Sequence, residues 1–416
     1  MATIRPFKAL RPKKDLVLKV QAPPYDVVST EEAKELAKDN PLSFLHITRP
    51  EIDLPDGIDL YDERVYLKAK ENLDRFIKEG ILQKDEKPML YLYSQEMQGR
   101  VQHGIVGVFS CEEYEKGIIK KHENTRIEKE IDRTKHIDYT NAQNGPVFLT
   151  YRAREDIKDI IKHIVNTKSP EYDFTVDGVR HTFYLIDEEE VIREIIDIFA
   201  RVDYLYIADG HHRSAASVRV WKQRKEKNPN HTGEEPYNFF LAVAFGHDEL
   251  YIMDYNRVVK DLGGLSKEDF MKKVSERFDI EEIGDKGSPY KPQDRHTFGM
   301  YVDGKWYKLI AKPDIIDENH PVKRLDVSIL QDNLLGPILG IKDPRKDKRI
   351  EFIGGIRGLH ILENMADESG GVSFSMYPTS IEELMKVADM GEVMPPKSTW
   401  FEPKLRSGLF VHMLDE

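Results

Sequence analysis

An apolar run, Tyr204-Leu205-Tyr206-Ile207-Ala208, stops abruptly at Asp209-Gly210 and is followed at once by His211-His212-Arg213-Ser214-Ala215-Ala216-Ser217. The run suits a buried strand, and Ala215, Ala216, Val218 and Val220 favour a helix or its buried side. Strand, two-residue turn and helix in immediate succession put the unsatisfied N–H groups of a helix start beside two imidazoles and a guanidinium, a suitable receptor for phosphate oxygens. Arg213 can hold two oxygens at once, and Asp209 can take a magnesium ion or orient a hydroxyl. A plainer reading exists for each part: Asp209 caps the helix and the histidines fill polar surface. Four polar side chains converging at one strand end favour the ligand reading for the string as a whole. A zinc site is a third reading, weakened because adjacent His211 and His212 diverge on a helix and no His-Glu-x-x-His occurs. There is also no Gly-x-x-x-x-Gly-Lys-Ser/Thr loop and no Gly-x-Gly-x-x-Gly turn, so an ordinary P-loop or dinucleotide fold has no direct support.

The 416 residues carry 62 Lys plus Arg against 74 Asp plus Glu, a formal net charge of −12. That balance opposes non-specific nucleic-acid binding over the whole surface while leaving room for a local basic pocket. No stretch of 18 consecutive apolar residues occurs, and the chain does not open on a basic segment followed by an apolar run, so a cytoplasmic protein with no membrane span is expected. The single cysteine, Cys111, excludes an intramolecular disulfide and a cysteine metal cluster, and it follows an apolar strand as inert core filling.

Strands and helices alternate along the chain, which predicts an α/β fold. Gln21-Ala22-Pro23-Pro24-Tyr25-Asp26 reads as a rigid extended loop, followed by a helix capped at Ser29. Val65, Ala69, Leu73 and Phe76 predict a helix over about 62–79 that ends at Gly80. Strands follow at 88–93 and 104–109, then at 146–149, 182–186 and 239–245, with helices at 157–165 and 190–199 between them. Beyond residue 246, Asp303-Gly304 marks a hairpin, and helices are expected near 267–278, 326–335 and 379–388. Lys120 to Arg133 is so charged that a solvated helix laced with ion pairs explains it, although it also brings acids, bases and hydroxyls together. Lys397 and Lys404 lie in a proline-bounded tail; either they stay in water around an anchored loop or one of them faces the histidine turn to neutralise a phosphoryl group.

Six separated motifs then occur in order: Arg5-Pro6-Phe7, Ala22-Pro23-Pro24-Tyr25-Asp26-Val27, Lys121-His122-Glu123-Asn124-Thr125, Asp132-Arg133, Ala208-Asp209-Gly210-His211-His212-Arg213, and Met394 to Lys404. In these the whole chain resembles the family called domain of unknown function 1015. Its middle section is similar to the ParB/sulfiredoxin superfamily, and within that to the free-serine kinases, which carry an early His-Glu pair and an Asp-Gly-His-x-Arg turn. The resemblance implies a ParB/sulfiredoxin-like core over residues 100–245, an N-terminal α/β block over 1–99 packed on it, and a C-terminal α/β lobe or lid over 246–416. It implies a Mg²⁺-dependent phosphotransferase acting on the hydroxyl of a small metabolite, free L-serine foremost, with ATP, ADP or pyrophosphate as donor. Glu123 would be the catalytic base beside His122, with Asp209 as the third catalytic group and the metal ligand. Gly210, His211, His212, Arg213, Ser214 and Lys397 would hold the donor. Arg126 or Arg133 would read the acceptor carboxylate and Asp132 its ammonium, unless the arginines simply pair with Asp132 in a surface network. The turn lacks the cysteine a sulfiredoxin needs. A nucleotide-dependent hydrolase and a non-catalytic nucleotide- or DNA-binding module stay as alternatives, and self-association into a homo-oligomer stays open.

Overall fold

The structure is a computed structural model that describes residues 1–415. The chain divides into two compact units: Met1–Leu250 together with the tail from Pro403, and Tyr251–Glu402. The first unit is built on a mixed sheet. Its strands in chain order are β1 (Ile4–Arg5), β2 (Leu90–Met97), β3 (Arg100–Ser110), β4 (Ile119–Lys120), β5 (Val147–Tyr151), β6 (Tyr172–Val176), β7 (Val179–Ile186), β8 (Leu205–Asp209) and β9 (Phe239–Gly246). They lie side by side as β4-β8-β5-β9-β3-β2-β7-β6, with β1 added against β3. Pairings β4–β8 and β5–β9 are parallel and the remaining ones antiparallel. All eight residues of β9 are buried, as a continuous apolar central strand requires.

Local chemistry accounts for several of these elements. Strands β2 and β3 form a hairpin closed by Gln98-Gly99, both at positive φ (52° and 77°), the twist that suits a two-residue turn. Helix α1 (Glu63–Lys78) begins where the Asp62 side chain accepts from the Arg64 N–H, and it buries Val65, Ala69, Leu73 and Phe76. Helices Glu155–Thr167 and Glu189–Phe199 bring Ile157, Ile161, Ile195 and Phe199 into one apolar core with Ile105, Leu149, Leu205 and Ile207. Cys111 is fully buried in the same core.

Strand β3 runs antiparallel beside β9, and at Gly104 the space beside the backbone is filled by β9 side chains. A Cβ built on Gly104 would stand 2.3 Å from Val243 Cγ1 and 2.6 Å from the Phe245 ring. Gly104→Ala is therefore expected to destabilise the first unit by about 1–3 kcal/mol through overpacking, measured as a lower denaturant midpoint.

Three expectations need correction. The charged run is not a solvated helix: residues 121–126 are irregular, and helix α2 spans Ile127–Thr140 with Asp132, Thr134, His136, Ile137 and Thr140 buried. Burial is tolerated because the polar groups are paired, His136 Nε2 with the Ile47 carbonyl at 2.8 Å and Asp132 with the Tyr66 hydroxyl at 2.9 Å. The proline loop is not extended throughout either, since Tyr25–Val27 forms a 3₁₀ turn after the extended Pro24. The borders also differ from those expected. One drawn between residues 99 and 100 cuts the β2–β3 hairpin, whereas the structure divides after Leu250 and returns to the first unit at Pro403.

The second unit holds an antiparallel sheet of β10 (Tyr255–Val259), β11 (Phe278–Asp285), β12 (Thr297–Val302), β13 (Lys305–Ala311), β14 (Ile350–Gly354) and β15 (Val372–Met376). The spatial order is β11-β13-β12-β15-β10-β14. Val258, Tyr301, Trp306, Leu362 and Ala366 form a core on one side, and Asp303-Gly304 closes the predicted hairpin. No helix among the described residues is long and apolar enough to cross a membrane.

Candidate active site

Strand β8 ends at Asp209, and helix α3 (His211–Lys227) starts one residue later, in the predicted strand–turn–helix order. The cap between them is Gly210 at φ 95°, a conformation that a side chain opposes. A Cβ there would also sit 3.2 Å from the Arg213 guanidinium, so the glycine opens the space in which that side chain folds back over the turn. Asp209 does not cap α3; one of its oxygens accepts the Gly210 N–H at 2.8 Å.

The buried Arg213 ties three segments together. It donates to the Pro146 carbonyl, its Nη2 stands 3.5 Å from Asp26 Oδ2, and it is 3.9 Å from Asp209. The tail adds a second cation, with Lys404 Nζ 3.2 Å from Asp209 Oδ2. Burial alone would raise the Asp209 carboxyl, but Lys404 and Arg213 overcome that and hold it well below the usual carboxylate range. Magnesium therefore fits Asp209 poorly. Its carboxylate already faces two cations, and a dication would have to displace them or crowd beside them. Ser214 is buried with its hydroxyl turned back to the Gly210 and His211 carbonyls, where it braces the turn.

The irregular segment 121–126 lies against this turn. The Arg126 N–H donates to His212 Nε2 at 3.1 Å, which commits that nitrogen as an acceptor. His122 and His211 are both buried and meet edge to face, with ring centroids 4.5 Å apart. Burial lowers the His122 imidazole to about 4, and burial together with the neighbouring His122 lowers His211 well below its ordinary value, so both rings are neutral near pH 7. Glu123, half-buried, completes a group of three potential ligand atoms that lie within 4.8 Å of one another.

The groups expected to read an acceptor are separated in character. Arg126 is largely exposed, whereas Asp132 is buried, Arg133 is mostly covered, and the two are joined at 2.9 Å. The Arg133 guanidinium also lies 4.2 Å from the centre of the Tyr25 ring. This pair is a buried brace rather than a surface network, and it fixes the loop that carries Tyr25 and Asp26 beside Arg213. Lys397 belongs to the second unit, where its ammonium lies 5.8 Å from the Tyr255 ring and its carbonyl accepts from Arg257. The lysine that the first unit sets at the histidine turn is Lys404. No local pattern announces that contact, because 195 residues separate its partners.

No curated protein matches the chain. Among solved structures it is similar to free serine kinase in complex with AMP, at 14% identity and TM-score 0.33, over 72% of this chain and 86% of that one. A conserved hypothetical protein from Pyrococcus furiosus matches at 13% identity and TM-score 0.33, over 73% of this chain and 92% of its own. SbnI with C-terminal truncation from Staphylococcus aureus matches at 11% identity and TM-score 0.36, over 72% and 84%. Likenesses this distant leave any reaction to be argued from the residues. The family described as protein of unknown function (DUF1015) matches residues 4–328 of the 416, and the chain belongs to it.

Proposed function

We propose that the first unit is a phosphotransferase that moves the terminal phosphoryl group of a nucleoside di- or triphosphate, or of pyrophosphate, onto the hydroxyl of a small metabolite, with free L-serine the favoured acceptor. One observation carries this reading: a carboxylate, Glu123, stands within reach of a helix start that also gathers Arg213 and Lys404. Phosphoryl transfer is mainly positioning and electrostatics, and it needs these two things on opposite sides of the transferred group. The backbone N–H groups at the start of α3 and the Lys404 ammonium would receive the donor's oxygens. Arg213 would act from beneath, since most of its fork is already engaged by Pro146, Asp26 and Asp209. Glu123 would accept the proton of the incoming hydroxyl. Arg126, exposed at the rim, is the residue suited to an acceptor carboxylate, while Asp132 and Arg133 hold the Tyr25–Asp26 loop in position. Any magnesium would travel on the donor's phosphates.

The test incubates purified protein with Mg²⁺, each donor in turn and a pool of hydroxylated metabolites including serine, followed by phosphorus NMR. A new phosphomonoester is expected. Release of inorganic phosphate alone would replace the reading with a hydrolase, and thermal stabilisation by a DNA duplex but by no donor would replace it with a binding module. Lys404→Ala is expected to weaken donor binding about ten- to a hundredfold, the worth of one charge-assisted contact, as read by calorimetric titration. Unchanged donor affinity in that variant would remove Lys404 from the site.

A further inference from the structure

Two nitrogens at the turn have no role in the reaction just described. Nδ1 of His122 and Nε2 of His211 are buried without a hydrogen-bond partner. Their rings are 2% and 6% exposed, so water does not satisfy them from outside. An unsatisfied buried nitrogen is costly, and a neutral imidazole that keeps a bare lone pair in the interior offers that lone pair to an electrophile. The His122 ring is hydrogen-bonded to the Ile207 backbone. Because Nδ1 has no partner, the bond is made by Nε2, which donates its N–H to the Ile207 carbonyl and leaves the lone pair on Nδ1. A carbonyl behind the far nitrogen is the usual support of a metal-binding imidazole, fixing both tautomer and ring orientation.

We propose that His122 Nδ1, His211 Nε2 and one carboxylate oxygen of Glu123 bind a divalent transition-metal cation of the zinc class. One ligand atom from each of the three residues already lies within 4.8 Å of those from the other two. Bonds of about 2.0–2.2 Å place tetrahedral ligands roughly 3.3 Å apart, so filling the site draws the cluster modestly inward. The donor set decides the metal. Two imidazoles and one carboxylate suit Zn²⁺, Co²⁺, Fe²⁺ or Ni²⁺, whereas Mg²⁺ requires oxygen ligands in near-octahedral array. His211 follows directly on the Gly210 cap and His122 precedes the 126–212 contact, so strand end, helix start and the 121–126 segment would all be pinned by one ion. Coordination through one oxygen leaves the other oxygen of Glu123 to act as a base, so the site is compatible with the proposed reaction without depending on it.

The full chain, freed of metal by dialysis against a chelator, is titrated with Co²⁺ while visible absorption is recorded, and with Zn²⁺ by calorimetry. One equivalent per chain is expected, with a cobalt band that Zn²⁺ abolishes and excess Mg²⁺ does not. His122→Asn and His211→Asn should each weaken binding at least tenfold, and His163→Asn, a surface histidine, should not. Circular dichroism of each variant separates lost ligation from lost folding, and the parent titration stands without any variant. Absence of a one-equivalent site in the parent, displacement by Mg²⁺, or full binding in folded H122N and H211N would overturn the assignment. Metal binding without phosphoryl transfer would defeat the reaction and leave the site standing. Phosphoryl transfer in a chain that shows no cobalt band would do the reverse.

Discussion

Glu123→Gln is expected to lower turnover by about 10²–10⁴ while donor affinity stays as in the parent, because a general base is worth that much and donor phosphates are held elsewhere. An aliphatic hydroxyl has a pKa far above 7 and attacks phosphorus poorly unless its proton leaves as the P–O bond forms. Glutamine keeps the shape of glutamate and a carbonyl oxygen but cannot take a proton, so the substitution isolates basicity from packing. Steady-state phosphoryl transfer to serine gives kcat, and calorimetry gives donor affinity in the same variant. Saturating Zn²⁺ supplies a further discrimination. If Glu123 contributed only by holding a cation, excess metal would restore the rate; as a base, it leaves the rate low at full metal occupancy. Unimpaired turnover in E123Q would defeat the mechanism.

Acid is expected to unfold the first unit well before general carboxylate protonation sets in. His136 and His412 are buried and held at about 4, and His181, buried beside Tyr93 with Arg406 nearby, at about 3. Each is neutral in the folded chain and takes up a proton near 6.5 once unfolded. Below pH 6.5 the unfolded state therefore binds more protons, and stability falls as pH falls. The loss continues down to the folded values and then levels off for these groups. A shift of that size is on the order of 3 kcal/mol per histidine, a large share of the roughly 5–15 kcal/mol that a folded protein holds in total. Thermal midpoints recorded between pH 7 and 4 should drop steeply, and peptide-resolved hydrogen exchange should show the loss within residues 1–250 ahead of 251–402. A midpoint that stays flat from pH 6.5 to 4.5 would contradict the neutral-histidine account.

Much of the fold is legible in the sequence because it rests on short-range rules. The Ser29 capping box, the helix over Glu63–Lys78, the turns at Gln98-Gly99 and Asp303-Gly304, and the β8–Gly210–α3 succession all follow from patterns of a few residues. The 121–140 segment was misleading for a physical reason. Charge density predicts exposure only while the charges lack partners, and here Asp132, Thr134 and His136 find theirs on Arg133, Tyr66 and main-chain carbonyls. The candidate site was legible as two motifs but not as one place. Nothing local tells that His122 packs on His211, that Asp26 faces Arg213, or that Lys404 rather than Lys397 meets Asp209. Those pairings are set by sheet order and by the return of the tail, which are properties of the assembled chain.

That return has a consequence for how the molecule comes into being on the ribosome. Strand β8, helix α3 and the 121–126 segment all emerge within the first 250 residues, but Lys404 and the short strand His412–Met413, which pairs with Ala142–Gln143, follow only after the whole of Tyr251–Glu402. At about 5–20 residues per second, that interval lasts roughly eight to thirty seconds. Throughout it, nascent Asp209 has no lysine and the edge at Ala142–Gln143 has no partner. The order of synthesis thus makes the site a late event: a chain released between Leu250 and Pro403 would carry every histidine of the turn and still lack the lysine that faces its aspartate.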